Sequence, residues 1–126
     1  MDKKNNRPRY LNLLKISMPV TAVVSIAHRV SGFLLVIGIP FFIYAFQMSV
    51  SSVEQYARLA ALMQYPLLKV VIILFVWSFS HHFVAGIRFL FIDIDIGVSK
   101  SAARLSAWLV HLVAIGITIL MAGVLL

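Results

Sequence analysis

The sequence predicts an all-α membrane protein with three transmembrane helices. Apolar residues make up 62% of the 126 residues and charged residues 12%, against about 45–50% and about 25% in soluble domains. A soluble fold of this size has too little interior to bury so much apolar surface. Three apolar stretches also exceed the roughly 20 residues that cross a bilayer. The chain is therefore predicted to lie in a lipid bilayer.

The predicted spans cover about residues 21–46, 66–92 and 103–126, and together they form a transmembrane domain at residues 21–126. Pro66 suits the first turn of the second span, where a missing backbone N–H costs nothing. Pro40 lies inside the first span, so we expect a kink toward the outer end of that helix. Residues 47–65 are polar and are expected to form an outer loop.

Basic residues concentrate on one side of the predicted spans. Five of them precede the first span, and Lys100 and Arg104 lie between the second and third. Basic segments remain in the cytoplasm, so the N-terminus is predicted inside and the C-terminus outside. Residues 1–20 are expected to be cytoplasmic and interfacial, with an amphipathic segment at residues 9–19. Because no Arg/Ser-rich transit peptide precedes the spans, we expect a multi-pass protein of the bacterial cell inner membrane.

Charge and cysteine usage exclude several functions. The net charge is +7, but the 11 basic residues are scattered and form no basic face, so binding of nucleic acid is not expected. The chain has no cysteine. Disulfides, thiolate-bound zinc and iron–sulfur clusters held by this chain are therefore excluded.

Ionisable residues inside the spans are the candidate functional residues, because an Arg at the centre of a helix costs roughly 2.5–3.5 kcal/mol to insert. In the first span, Ser25, His28, Arg29 and Gly32 follow the spacing of one helical face. The third span contains His111, which is expected to form an interhelical hydrogen bond, as most isolated intramembrane histidines do.

The second span presents two polar directions. His82 shares a stripe with Ser78 and Gly86, whereas His81 points about 100° away, on the side of Arg88. Two neighbouring helices of one chain cannot satisfy both directions, so we expect partners outside this chain. Two simpler interpretations remain open for these polar groups: arginines near the cytoplasmic side can extend to the headgroups, and a serine such as Ser25 can bond to its own helix.

Depth favours a plate-shaped ligand. His82 is predicted about 16 Å below the cytoplasmic end of its span, and His28 and Arg29 only about 11–12 Å deep in theirs. A deep imidazole below a shallower His–Arg pair suits haem b, whose iron takes an axial histidine and whose propionates are acidic. Gly86, one turn from His82, would let a flat ring approach the backbone.

Two segments carry a more specific resemblance. Arg7-Pro8 followed by SIAHRVS at residues 25–31, and HFVAGIRF at residues 82–89 followed by Asp93, resemble the two signatures of the succinate dehydrogenase cytochrome b subunit family, the larger membrane anchor of respiratory complex II. The resemblance covers essentially the whole chain. The sequence departs from the family pattern at a few positions near the cytoplasmic side, namely Arg9, Phe89, Ile92 and Asp95.

The resemblance implies a role for each candidate residue. His82 would be the axial ligand of haem b, with a second histidine from the smaller anchor subunit. Ser25 and Arg29 would line the ubiquinone pocket near the iron–sulfur subunit. His28 and Arg88 would lie near the haem propionates and that pocket.

The resemblance also implies that different subunits of the complex carry out different steps of the reaction. Succinate is oxidised at FAD in a flavoprotein subunit, and electrons pass through iron–sulfur clusters to ubiquinone. This chain would hold no catalytic residue and would be inactive alone, with membrane lipid and the other subunits as partners. Two alternatives remain: the anchor of a quinol:fumarate reductase, and a proton-conducting subunit with a histidine relay.

Overall fold

The structure, a computed structural model, describes residues 17–125 and contains no strand among them. Its helices are α1 (Val20–Ser51), α2 (Val53–Leu62), α3 (Pro66–Asp93) and α4 (Lys100–Leu125). Helices α1, α3 and α4 are long and apolar enough to cross a membrane. The predicted all-α fold with three spans is confirmed. Most of the predicted interfacial segment lies outside the described residues.

The helix boundaries agree with the sequence at some points and differ at others. Helix α3 begins at Pro66, as expected, and α1 continues through Pro40 to Ser51. The predicted outer loop is wrong, because residues 47–65 contain the end of α1 and the whole of α2. Ser52 starts α2: its hydroxyl accepts the Gln55 backbone N–H at 3.2 Å, a bond typical of helix N-caps.

Helix α3 lies between the other two spans and packs against both α1 and α4. Several buried residues of α3 are small, namely Ser78, Ser80 and Ala85, which lets helix backbones approach closely where lipid supplies no hydrophobic driving force. The central cluster consists of Val24, Ala85, Ala107 and Val110. Most large apolar side chains point outward instead, which leaves a broad surface for lipid or partner helices.

A short turn joins α3 to α4. Asp95 and Gly97 have positive φ angles of 60° and 75°, and glycine adopts this conformation without steric cost. Ser99 then caps α4, because its hydroxyl accepts the Ala102 backbone N–H at 3.3 Å. The turn reverses the direction of the chain within a few residues, so α4 packs along α3 and covers one side of it.

Candidate functional site

His82 is held by the backbone of α1. Its Nδ1 lies 3.0 Å from the backbone oxygen of His28. A carbonyl oxygen only accepts hydrogen bonds, so Nδ1 carries the proton in this contact. The other ring nitrogen, Nε2, keeps its lone pair and has no hydrogen-bond partner within residues 17–125. The imidazole therefore presents one nitrogen that can bind a metal.

Two neighbouring residues of α1 make this approach possible. A Cβ atom at Gly32 would lie 2.8 Å from Cε1 of His82, closer than carbon atoms can approach. Ser31 is fully buried. Its hydroxyl donates to the His28 oxygen at 2.9 Å and lies 3.4 Å from Nδ1 of His82. The missing side chain at residue 32 thus admits the ring that the His28 carbonyl holds.

The ring of His28 stacks on the ring of His82, with 4.0 Å between centroids and 7° between planes. On its other side, Phe89 contacts His28 edge-on at 5.2 Å, and a Cβ at Gly86 would lie 3.7 Å from its Nε2. The ring of His82 thus lies beside Gly32, one turn beyond His28 along α1, and the ring of His28 lies beside Gly86, one turn after His82 along α3. This offset has the direction expected from the sequence, and the depths in a bilayer stay a prediction.

His81 faces the opposite side of α3. It is fully buried, and neither ring nitrogen has a hydrogen-bond partner. The ring of His111 lies 5.2 Å away and that of Trp77 5.4 Å away. The hydrogen bond expected for His111 is absent within the described residues, because its ring packs tilted against His81 instead.

Arg88 also faces α4. Only 7% of its surface is exposed. Its Nε donates to the Ser106 hydroxyl at 2.9 Å, and one terminal nitrogen donates to the Ala103 carbonyl at 3.2 Å. Arg88 therefore does not extend to the headgroups; it joins α3 to α4. The structure does not bring it together with the His28–His82 pair.

The two polar directions of α3 are both covered within this chain. Helix α1 receives His82, and α4 receives His81 and Arg88. These neighbours do not satisfy every polar group, because both nitrogens of His81 have no hydrogen-bond partner within residues 17–125. The inferred need for partners outside this chain therefore stays a prediction. What remains unpaired at His82 is the single nitrogen Nε2.

The two residues expected at a quinone pocket lie on α1. Ser25 is half-buried, and its hydroxyl forms no hydrogen bond to its own helix, unlike those of Ser31 and Ser78. Arg29 is exposed and forms no ion pair with any residue in 17–125. Both polar groups are thus available for contacts beyond the described part of the chain.

The arrangement offers a metal ion one ligand nitrogen, Nε2 of His82. Within residues 17–125 no three potential ligands lie close enough together to hold a metal ion. An imidazole with one protonated and one free nitrogen is a suitable single ligand for iron. A metal ion bound at this nitrogen would need further ligands from outside the described residues.

Comparison with known proteins agrees with this geometry. The model of the family described as succinate dehydrogenase/fumarate reductase transmembrane subunit matches residues 3–121. The chain belongs to this family. The match extends from the N-terminal segment through all three spans, and it confirms the resemblance inferred from the two sequence signatures.

Several bacterial proteins named succinate dehydrogenase cytochrome b556 subunit are similar to this transmembrane subunit. The protein from Coxiella burnetii is 34% identical over 119 residues, which cover 94% of each chain. That from Rickettsia prowazekii is 28% identical, with coverage of 93% of this chain and 91% of the relative. That from Paracoccus denitrificans is 28% identical, with coverage of 82% and 80%.

The sequence pattern did not indicate that Ser31 of this transmembrane subunit contacts His82. A serine inside a span usually bonds to its own helix, and Ser31 does so. The bond is also part of the His82 site, because His82 approaches closely enough to share the same carbonyl. The signal in the sequence was the small pair Ser31-Gly32 one turn after His28, which marks a place where another helix can come near.

Proposed function

We propose that this chain is a membrane anchor of succinate dehydrogenase and supplies His82 as one axial ligand of haem b. The observation that carries the proposal is the bond from His82 Nδ1 to the His28 carbonyl, which leaves Nε2 as the ligand nitrogen. Metal-binding histidines usually donate their other N–H to a carbonyl or carboxylate in this way. A histidine of a smaller anchor subunit would supply the second ligand.

The residues around His82 fit this role. Gly32 leaves room for the ring, and the stacked ring of His28 fixes its plane. Haem b, when bound, supplies a reversible one-electron carrier. The side chains of this subunit bind, orient and shield it, and His28 is suitably placed to contact a propionate. For Arg88 the same role stays a prediction, which its two bonds to α4 do not favour.

Ser25 and Arg29 are proposed to form this chain's part of a ubiquinone pocket. Ser25 can donate a hydrogen bond to a quinone oxygen. Arg29, one turn further along α1, can stabilise the negative charge that develops there during reduction. Because both groups lack partners in the described chain, a quinone and an adjoining iron–sulfur subunit can reach them. Protons come from partner residues or water, and succinate oxidation takes place at FAD in a flavoprotein subunit.

A quinol:fumarate reductase anchor remains the second candidate, because the family description names both enzymes. The reduction potentials of the quinone and haem decide between them. A histidine relay is less well supported: the His28–His82 pair and the His81–His111 pair lie on different sides of α3.

A reduced-minus-oxidised optical spectrum tests the proposed function. The complex that contains this chain, purified from membranes, is expected to show a b-type band and to reduce ubiquinone with succinate. A complex with all its subunits but without that band would contradict the haem assignment. A band without succinate-dependent quinone reduction would favour the fumarate reductase.

The proposed orientation, with the N-terminus in the cytoplasm of a bacterial inner membrane, predicts a labelling pattern. The chain has no cysteine, so single cysteines can be introduced at exposed positions. Ala57→Cys on α2 is expected to react from the outside and Val98→Cys from the cytoplasm, in spheroplasts and inverted vesicles respectively. Ser52 and Ser99 are avoided because both cap helices. Labelling of both cysteines from the same side would contradict the topology.

A further inference from the structure

The backbone oxygen of His28 is the meeting point of two side chains. It accepts the Ser31 hydroxyl at 2.9 Å and Nδ1 of His82 at 3.0 Å. The Ser31 oxygen also lies 3.4 Å from that same Nδ1. Ser31 is completely buried, so water does not compete for these positions. The hydroxyl therefore acts on both ends of the bond that orients His82.

We propose that Ser31 is a positioning residue that sets the orientation and electron-donating strength of the His82 imidazole, and through it the potential of the haem iron. The inference rests on the proposed function of His82. It goes beyond that function because Ser31 itself contacts neither haem nor quinone.

The physical reason is that two donors, the Ser31 hydroxyl and the His82 Nδ1–H, share one acceptor, the His28 carbonyl. The stronger the bond that Nδ1–H donates, the more basic Nε2 becomes, and a more basic ligand stabilises ferric iron over ferrous iron. The Ser31 O–H and the His82 Nδ1–H both donate to the His28 carbonyl. The Ser31 oxygen is also a weak second acceptor for Nδ1–H. Removing the hydroxyl changes both contributions, so the balance at Nδ1 must shift.

Gly32 completes the arrangement by limiting where the ring can lie. A methyl group there would come within 2.8 Å of Cε1 of His82 and 3.2 Å of Nδ1. The ring would have to leave the His28 carbonyl to avoid it. Gly32→Ala is therefore expected to lose most of the haem per assembled complex, whereas Ser31→Ala keeps the haem and changes its properties.

The test compares Ser31→Ala with Ser78→Ala in the complete purified complex. Ser78 is an equally buried serine whose hydroxyl bonds to its own helix, at the Leu74 carbonyl, and forms no hydrogen bond to His82. Ser31→Ala is expected to keep the wild-type haem content but to shift the midpoint potential and the low-field EPR signal of the ferric haem. Ser31→Thr, which retains a hydroxyl that can bond the same carbonyl, is expected to bring both back toward the wild type. Ser78→Ala is expected to change neither.

The inference is overturned if Ser31→Ala has the wild-type potential and EPR signal, if Ser78→Ala shifts them equally, or if an assembled Ser31→Thr departs as far as Ser31→Ala. His82→Leu separates this failure from failure of the proposed function. If His82→Leu loses the b-type spectrum while Ser31→Ala has no effect, only the positioning role is wrong. If His82→Leu keeps the native spectrum, the ligand assignment itself is wrong.

Discussion

Replacing His82 by Leu is expected to abolish the b-type spectrum of the complex or to shift it strongly, whereas replacing its neighbour His81 leaves the spectrum intact. His82 offers a nitrogen with a free lone pair on the α1 side of α3. His81 is enclosed between α3 and α4, with its ring against His111. Adjacent residues on a helix diverge by about 100°, so only one of the two can reach a ligand on a given side.

His81→Leu is the matched control, because it removes an imidazole from the same turn of the same helix. Its buried nitrogens have no hydrogen-bond partner to lose, so we expect stability to change by no more than about 1–2 kcal/mol. The measurement is the reduced-minus-oxidised spectrum per assembled complex. Loss of the spectrum in His81→Leu with retention in His82→Leu would show that both the ligand and the assignment of helix faces are wrong.

Arg29→Leu and Ser25→Ala are expected to lower the rate of quinone reduction by about ten- to a hundred-fold. The estimate corresponds to roughly 1.5–3 kcal/mol for a hydrogen bond to a charged group, acting in the transition state. Arg29 is exposed and forms no ion pair within residues 17–125, so its removal leaves no buried partner behind. The measurement is succinate-dependent reduction of ubiquinone by the purified complex.

Two controls distinguish a pocket defect from general damage. Succinate oxidation with an artificial soluble acceptor is expected to persist in both variants, because that reaction does not require the membrane site. Arg104→Leu removes another exposed basic residue, on α4, and is expected to leave quinone reduction unchanged. Equal quinone turnover in wild type, Arg29→Leu and Ser25→Ala would contradict the pocket and favour the interpretation that Arg29 contacts lipid headgroups.

The spans and the divergence of His81 from His82 could be predicted from the sequence because each follows from one helix alone. In lipid, backbone polar groups must be satisfied within the segment, so a long apolar run implies a helix of known periodicity. The face of each residue then follows from its number. Helix α2 could not be predicted in this way because its ten residues are too few to span a bilayer, and its start depends on the cap at Ser52.

The pairing of faces between helices could not be predicted in this way. Periodicity places His82 and His81 on different sides of α3, but it does not say that α1 covers one and α4 the other. The relative height of two helices is likewise set by packing: the contact of His28 with His82 depends on how Gly32 and Gly86 let α1 and α3 approach. Such contacts arise between residues that are more than 50 positions apart in the chain.

If His82 is the haem ligand, as proposed, its bond to the backbone of α1 has a consequence for haem capture during biogenesis. Because the donor and acceptor belong to the same polypeptide, insertion and packing of α1 and α3 already immobilise the ligand ring before a partner subunit arrives. The rotational entropy of that side chain is lost when the helices pack, and so it no longer weakens the later encounter with the cofactor. Under that proposal, a freshly inserted chain would already present its half of the haem site in the bound arrangement, and a second anchor subunit would complete it.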